Sequence, residues 1–331
     1  LKRVIQMISA SHWAAQFLNR HPIVLDEMLD DRIRLAHTDW AELGKELKQQ
    51  LNQASDDTER QLDILREVHH AQQFRLLAQD LAGELAVEEL ADHLSALADT
   101  IVAATLQAAW QMLPNRHREV PQFAVIAYGR LGGKELGYVS DLDVIFLFDD
   151  DDDAAAMQYA KLAQRFISWM TTHTAAGILF DIDTALRPDG ASGMLVSSLN
   201  AFERYQHQSA WVWEHQALSR ARFCAGDARI GERFEQIRCE VLCKPRDAYA
   251  NKAGVLFDLK QDAGGMIDLE FIVQYLVLKH AAQYPQLCAN KGNIALLKMM
   301  ANLGLIDSTA AQLAGDAYRK MRRLQHHIRL Q

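Results

Sequence analysis

The sequence predicts an α+β fold that is predominantly helical, in which a small sheet with flanking helices lies between two helical bundles. Apolar residues recur at three- and four-residue spacing through most of residues 1–113 and again from about residue 247, which is the period of amphipathic helices. Between these regions, the short runs FAVIAYG (123–129) and DVIFLFD (143–149) are rich in β-branched and aromatic residues and are bounded by turns, as is typical of strands. We therefore expect three domains, at residues 1–115, 116–246 and 247–331.

Two long helices are predicted in the first domain. The segment LDILREVHHAQQFRLLAQDLAGEL (62–85) follows a capping start at residues 55–57. The segment ADHLSALADTIVAATLQAAWQML (91–113) is ended by Pro114 and Asn115. Both segments place apolar residues on one helical face, so this domain is expected to be a bundle.

The middle domain alternates strands and helices. A helix is predicted over residues 154–177, with Gly177 as a left-handed cap. The third strand, ILFDIDTAL (178–186), is followed by the turn RPDGASG. Two further helices are predicted over SLNAFERYQHQ (198–208) and AWVWEHQALSRARF (210–223). The sequence thus predicts three strands surrounded by helices.

The composition argues against several classes of protein. The chain has 331 residues, of which 24% are charged, and a formal net charge of −8. Nucleic-acid and anionic-membrane binders need a basic face, so neither partner is expected. The four cysteines include no CxxC motif, which predicts free thiols in a reducing cytoplasm rather than zinc ligands or disulfides. No apolar run reaches transmembrane length and no signal peptide precedes the first helix, so we expect a cytoplasmic location.

The ends of the chain suggest a piece of a longer protein. The sequence begins at Leu1 rather than at Met, and it ends within a helical pattern, AYRKMRRLQHHIRLQ. We therefore expect a fragment rather than a complete protein.

A glycine-rich turn, GRLGGK, follows the first predicted strand at Gly129 to Lys134. It does not match the dinucleotide-binding fingerprint, because Leu131 stands where the second glycine is needed. It does not match a Walker loop either, because Glu135 follows the lysine where Ser or Thr is needed. A strand, a glycine turn and a short helix still present free backbone N–H groups that can hold an anion.

Two aspartates, Asp141 and Asp143, stand at the start of the second predicted strand. Residues at i and i+2 of a strand project to the same side, with their Cα atoms about 6–7 Å apart. Like charges on one face repel each other, so this pattern carries an energetic cost unless a cation lies between them. Paired carboxylates suit Mg²⁺. The alternative is an exposed strand end with two solvated acids.

The third predicted strand adds Asp181 and Asp183, again on one face. Two metal ions bridged by three carboxylates on adjacent strands form the arrangement that phosphoryl and nucleotidyl transfer require. A haloacid-dehalogenase-type phosphatase is an alternative, with Asp181 as nucleophile and Asp183 as acid/base. That pattern needs Thr or Val where Ala185 stands, and it leaves the other two aspartates unexplained. A non-catalytic module that binds nucleotide or an effector is a further alternative.

Taken together, these segments resemble the glutamine-synthetase adenylyltransferase family of the nucleotidyltransferase β superfamily. The resemblance rests on YGRLGGKELGYVSDLDVIF, DIDTALRPDGASGMLVSS, WVWEHQALSRARF and GGMIDLEFIVQYLVLKHA, and SASHWAAQFLNRHPIVLDEMLD is similar to the segment before the family's second catalytic half. It covers nearly the whole chain. KELGY, WEHQAL and DLEFIVQYLVL resemble the C-terminal half, which attaches AMP, rather than the half that removes it.

The resemblance implies a small mixed nucleotidyltransferase sheet and a Mg²⁺-dependent transfer of AMP from ATP to a tyrosine of glutamine synthetase, which down-regulates nitrogen assimilation. It also implies a PII-type signalling protein as a partner of the intact enzyme. Two departures from the family pattern stand out. Ala185 occupies a position where the family usually has Arg, and the stretch after KPRDAYANK is short, as though a segment near residues 246–251 were missing.

The resemblance also assigns roles to individual residues. Asp141, Asp143 and Asp183 would be the catalytic metal ligands, with two Mg²⁺ ions expected. Asp183 is preferred to Asp181 because the family's acid lies four residues before the Arg of LRP. Residues expected to line the triphosphate are Gly132, Gly133 and Ser140, and those expected to neutralise phosphate charge are Arg187, Arg220 and Arg222. Surface ion pairs are the alternative role for these arginines.

Overall fold

The computed structural model describes residues 38–245, 265–289 and 291–330, together with Ala15, Leu18 and Asn19. Three sequence-based expectations lie outside these residues. They are the helical periodicity over most of residues 1–37, the domain boundary at 246/247 and the segment near 246–251 that was expected to be missing. Within the described part of the chain, no helix is both long and apolar enough to cross a membrane.

Within residues 38–122, three helices precede the sheet: α1 (Trp40–Gln53), α2 (Thr58–Leu81) and α3 (Val87–Gln111). The Asp57 carboxylate accepts a hydrogen bond from the backbone N–H of Arg60, which confirms the predicted capping start of α2. α3 is largely buried and packs against both α1 and α2. This part of the chain is therefore a helical bundle, as the periodicity predicted.

The sheet is small, mixed and open. Its strands are β1 (Phe123–Ala127), β2 (Leu142–Phe148), β3 (Ile182–Asp183), β4 (Val196–Ser198) and β5 (Arg222–Gly226), and the single-turn helix α4 (Gly129–Gly132) follows β1. The strands lie in the order β3-β2-β1-β5, and β4 also pairs with β2. β1 is antiparallel to β2 and β5, whereas β2 is parallel to β3 and β4. This architecture confirms the predicted α+β fold class.

Several element bounds differ from the prediction. The third strand is reduced to two residues, and β4 and β5 were not predicted at all. The helix predicted over 210–223 ends at Leu218, because the chain enters β5 and pairs with β1. The helix predicted to reach Gly177 ends at Thr171, because the chain turns back on itself where Thr174 bridges Gly177.

Helices cover both faces of the sheet. α5 (Ala155–Thr171) and the first bundle cover the face formed by alternate residues such as Val125 and Phe146. α6 (Leu199–Gln208), α7 (Val212–Leu218) and α8 (Ala228–Cys243) follow, and they cover the opposite face, which includes Ile145. Because β2 is apolar on both faces, it reads as a continuous hydrophobic run. The first bundle and the sheet share one core, and the domain boundary at residue 115 stays a prediction.

The C-terminal part is again helical, with α9 (Met266–His280), α10 (Asn293–Asn302) and α11 (Ser308–Leu330). These helices have their own hydrophobic core, which includes Val273 and Met300. Short 3₁₀ turns lie at 190–192 and 285–288. The four cysteines are free thiols, as expected from their spacing.

Candidate active site

A cleft of about 560 Å³ lies where β2 begins. Asp141 and Asp143 line it together with Gly129 of the glycine turn. Its remaining wall is formed largely by α7, the arginine that follows α7, and α9. Because helices cover the rest of β2, the strand's N-terminal end is where its polar residues reach this cleft.

The three predicted aspartates meet at this edge. Asp143 on β2 lies directly opposite Asp183 on the parallel strand β3. The pKa of Asp143 is raised to about 6, mainly by burial and further by the negative charges of Asp141 and Asp183, while Arg220 and Arg130 oppose the shift. Asp181 is not among the charges that act on Asp143; its backbone carbonyl accepts a hydrogen bond from the N–H of Leu142.

The donor set suits a hard divalent cation. It offers only carboxylate oxygens, from Asp143 and Asp183 on adjacent strands and from Asp141 just before β2, and such ligands are those that Mg²⁺ prefers. Asp143 is half-buried, whereas the other two are exposed. Among the described residues, the ligand atoms of the three aspartates do not all lie within 4.8 Å of one another. The set of three that does is Glu203, His207 and Glu240, which is largely exposed and includes a carboxylate already paired with a guanidinium. The aspartates therefore remain the better candidates.

Gly129 brings the backbone against the acidic pair. Its φ is +55°, and a Cβ at this position would lie 2.1 Å from Oδ2 of Asp143. The neighbouring N–H of Tyr128 donates a 2.8 Å hydrogen bond to the backbone carbonyl of Asp143. The first glycine of the turn is therefore required by close approach to a carboxylate, as well as by its left-handed backbone.

The other predicted residues of the turn have structural surroundings. Gly132 and Gly133 are buried: a Cβ would lie 1.9 Å from the carbonyl oxygen of Arg220 at the first and 2.9 Å from its guanidinium at the second. Ser140 is also buried, and its hydroxyl accepts a hydrogen bond of 3.1 Å from the N–H of Gly137. None of the three lines the cleft, so their triphosphate role stays a prediction.

Arg220 does line the cleft, and two carboxylates hold it in place. Its Nη2 donates to Glu135 at 2.6 Å, and its Nη1 donates to Glu270 at 2.9 Å. Burial opposes its charge, but the two carboxylates outweigh burial and raise the pKa of Arg220. The arginine is therefore a fixed positive charge beside Asp143, and this charge partly offsets the rise in the pKa of Asp143.

The C-terminal helices complete this network. Glu135 accepts hydrogen bonds of 2.7 Å from both the backbone N–H and the side-chain amide of Asn293, the first residue of α10. The hydroxyl of Tyr318 on α11 lies 3.0 Å from Glu135 and 2.7 Å from Glu270 on α9, so it can donate to either carboxylate. Three helices remote in sequence thus determine where Arg220 lies.

The remaining two predicted arginines do not line the cleft. The guanidinium of Arg187 donates to the carbonyl of Thr184 at 2.8 Å and to that of Gly193 at 3.3 Å, which closes the loop after β3. Arg222 is buried, pairs with Asp99 at 2.8 Å and donates to the Leu131 carbonyl at 3.1 Å. Arg222 thereby links β5 to α3. Phosphate contacts for both remain predictions.

Sequence reasoning missed several residues of the cleft. Arg130 follows the first glycine of the turn, so its position beside the acidic pair could have been inferred from the sequence. The others belong to segments that carried the family resemblance, but they received no role in the site: Leu186, Trp213, Gln216, Ala217, Glu270, Phe271 and Gln274. Only folding brings α7 and α9 to the same cleft.

Comparison with known proteins identifies two families along the chain. The glutamate-ammonia ligase adenylyltransferase family matches residues 1–237, and the GlnD PII-uridylyltransferase family matches residues 238–331. Together the two matches account for the whole chain, and they meet within α8.

Curated relatives are named bifunctional glutamine synthetase adenylyltransferase/adenylyl-removing enzymes. Those of Aromatoleum aromaticum, Ralstonia nicotianae and Nitrosomonas europaea are 56%, 53% and 51% identical over 346, 351 and 350 residues. Each alignment covers 100% of this chain but only 37% or 38% of the relative, so the chain spans somewhat more than a third of their length. Because the first family matches residues 1–237, well over half of this chain, the chain belongs to the glutamate-ammonia ligase adenylyltransferase family.

Proposed function

We propose that this chain transfers AMP from Mg²⁺-ATP to a tyrosine of glutamine synthetase and releases pyrophosphate. The single observation that carries the proposal is the meeting of Asp141, Asp143 and Asp183 at one edge of the sheet, in a member of an adenylyltransferase family. Asp141 and Asp143 line the cleft there, and Asp183 lies opposite Asp143 on the neighbouring strand. Placing the three carboxylates together has an electrostatic cost, because burial and the charges of Asp141 and Asp183 raise the pKa of Asp143, so we expect the cluster to have a use. In a nucleotidyl-transfer site, the carboxylates would serve as metal ligands.

The chain's own residues would divide the work. Asp141, Asp143 and Asp183 would hold Mg²⁺, which when bound lowers the pKa of an attacking hydroxyl and shields phosphate charge. Arg130 and Arg220 would supply fixed positive charge opposite the triphosphate, so little reorganisation is needed as charge moves to the leaving pyrophosphate. The exposed side chain of Trp213 and the nearby Phe271 offer flat apolar surface for a base.

We assign the attaching rather than the removing reaction to this chain. The segments KELGY, WEHQAL and DLEFIVQYLVL resemble the attaching half of the family, and the relatives' name includes both activities. In the intact protein we expect a cytoplasmic enzyme whose activity responds to a PII-type signalling protein. The physiological result would be lower glutamine synthetase activity.

The proposal is tested by intact-mass measurement of the glutamine synthetase subunit. With Mg²⁺-ATP and unmodified target, we expect addition of AMP and release of pyrophosphate. With adenylylated target and inorganic phosphate, we expect little or no release of ADP. Release of ADP without addition of AMP would show that the half has been assigned wrongly.

Asparagine variants test the metal ligands. Asp143→Asn and Asp183→Asn should reduce transfer by several orders of magnitude, since each removes a charged ligand while keeping the side-chain shape. Asp181→Asn is the matched control, because Asp181 is exposed on the same segment and does not act on Asp143. A dead Asp181→Asn with an active Asp183→Asn would favour the phosphatase alternative. Tight binding of Mg²⁺-ATP with no turnover on any target would favour a regulatory module.

A further inference from the structure

A second cavity, of about 450 Å³, lies beside Lys134, the last residue of the glycine turn. Its walls come from the N-terminal turns of α3 and α10 and from Tyr318 and Arg322 on α11. It contains none of the three aspartates and is a separate volume from the cleft. We call it the α10 cavity. Its size falls within the range of small-molecule sites, about 300–1,000 Å³.

A buried arginine in the α10 cavity lacks a counter-ion. Arg322 is only 2% exposed, and its Nη2 donates to the backbone carbonyls of Glu135 at 2.6 Å and Leu136 at 3.3 Å. Its Nη1 is buried and has no hydrogen-bond partner, and no carboxylate of the described residues forms an ion pair with it. A buried charge is ordinarily paired, so this guanidinium can accept an external anion as its hydrogen-bond partner and counter-ion.

Three lysines add to this positive charge. Lys134, Lys291 and Lys298 all line the α10 cavity and are exposed. Within the described ranges, none of their ammonium groups has a hydrogen bond or an ion pair. An anion entering the α10 cavity would therefore meet cations that are not already neutralised.

The acids of the α10 cavity do not cancel this charge. Glu135 is bound to Arg220, and Glu88 is paired with Arg319 at 2.6 Å. Asp92 is the third, and burial raises its pKa, although the charge of Lys134 opposes that shift. Two of the three carboxylates are thus neutralised by arginines outside the cavity lining.

The N-terminus of α10 opens into the same space. This ten-residue helix begins after Gly292, which provides no side-chain cap. The N–H of Asn293 is taken by Glu135, whereas those of Ile294 and Ala295 have no acceptor among the residues described. Both residues line the α10 cavity, so free N–H groups and the positive end of the helix dipole lie beside the lysines.

We propose that the α10 cavity is a regulatory site that binds a small metabolite through a dianionic group of the phosphate type. Arg322, Lys291 and Lys298 bind this group together with the free N–H groups of α10. The site communicates with the cleft through Glu135, which lines the α10 cavity and also holds Arg220. A ligand that displaces Arg322 or Asn293 also displaces Glu135, to which both are hydrogen-bonded. The position of Arg220 then changes, and with it the rate of AMP transfer. This regulatory effect rests on the proposed function, but the binding itself does not.

Binding is tested on the whole chain with inorganic phosphate as the probe, by calorimetric titration. The double variant Lys291→Gln/Lys298→Gln should weaken phosphate affinity about tenfold or more, because two charge-assisted contacts are lost. Lys48→Gln/Lys161→Gln removes the same charge from exposed positions elsewhere and should leave the affinity unchanged. Ala295→Glu places a carboxylate in the cavity at the first turn of α10 and should also abolish binding without unfolding the helix.

The outcomes separate the two proposals. No binding of phosphate to the wild-type chain, or equal affinity in the two double variants, would overturn the site. If phosphate binds but does not change the initial rate of AMP transfer at saturating Mg²⁺-ATP, the site is not regulatory. If the chain transfers no AMP at all, the proposed function fails while the titration still decides whether the site exists.

Discussion

The substitution Gly129→Ala isolates the role of the glycine turn in positioning Asp143. An alanine Cβ at this position would lie 2.1 Å from Oδ2 and 2.9 Å from Cγ of Asp143, closer than the 3.0 Å that real Cβ contacts respect. We therefore expect the carboxylate to move by about 0.9 Å, since the end of a side chain yields more readily than backbone. The backbone is also strained, because φ at Gly129 is +55°.

Two effects of different size follow. A left-handed conformation costs a residue with a Cβ roughly 1–2 kcal/mol, so the free energy of unfolding should fall by about that amount. A reacting group misplaced by about 1 Å can lower a catalysed rate on the order of 10²-fold. We therefore expect a modest loss of stability and a loss of AMP transfer of about two orders of magnitude.

Gly83→Ala is the matched control. Gly83 has a φ of +74°, and a Cβ there would meet nothing within 4 Å. Both variants should lose the same 1–2 kcal/mol or so in denaturant unfolding, since both place a Cβ in the left-handed region. Only Gly129→Ala should lose transfer, measured as the initial rate of AMP incorporation. If the two variants transfer AMP at rates within a few-fold of each other, the close approach of Gly129 to Asp143 has no catalytic importance.

Three further predictions concern the charged groups of the cleft. Because the folded chain raises the pKa of Asp143 to about 6 from its usual 3.8, its contribution to stability is present below about pH 4 and lost as pH rises through 6. Asp143→Asn should thus be more stable than wild type at pH 7.5 by up to about 3 kcal/mol, with the difference vanishing near pH 4 in denaturant titrations. Glu135→Gln leaves Arg220 short of a buried partner and should lower stability by roughly 3 kcal/mol and raise KM for ATP. Glu88→Gln, in a partly exposed pair, should cost only about 1 kcal/mol, and equal losses in the two variants would contradict the network. Arg130→Gln should raise KM for ATP at unchanged stability, whereas Arg222→Gln should lower stability at unchanged KM, and the reverse pattern would mean that the arginines' roles have been exchanged.

Local patterns gave a reliable picture of the longer elements. α2 and α3 follow from apolar periodicity, and β1 and β2 follow from short apolar runs beside turns, because each depends on residues close in sequence. The strands that were missed depend on distant partners instead. β4 has only three residues and exists by pairing with β2, and β5 follows a helical segment and exists by pairing with β1. Neither pairing has a local signature.

The acidic site was predictable to a similar extent. The i, i+2 spacing of Asp141 and Asp143 and the second acidic pair near the third strand indicated a cluster of carboxylates. Choosing Asp183 over Asp181 required the family resemblance, because alternation along a strand places both on one face. In the structure β3 contains only Ile182 and Asp183, and the parallel register puts Asp183 opposite Asp143.

The sequence by itself determined the fold class, the glycine turn and the acids of the cleft, since these are encoded by neighbouring residues. Only the tertiary structure decided what the arginines do. Arg220 and Arg222 are two residues apart and look equivalent in LSRARF, yet one meets Glu135 and lines the cleft, and the other meets Asp99 on α3. These two guanidinium groups are buried where distant carboxylates can pair with them, because an unpaired buried charge is costly. Sequence separations of 85 and 123 residues carry no local pattern from which those partners could have been inferred.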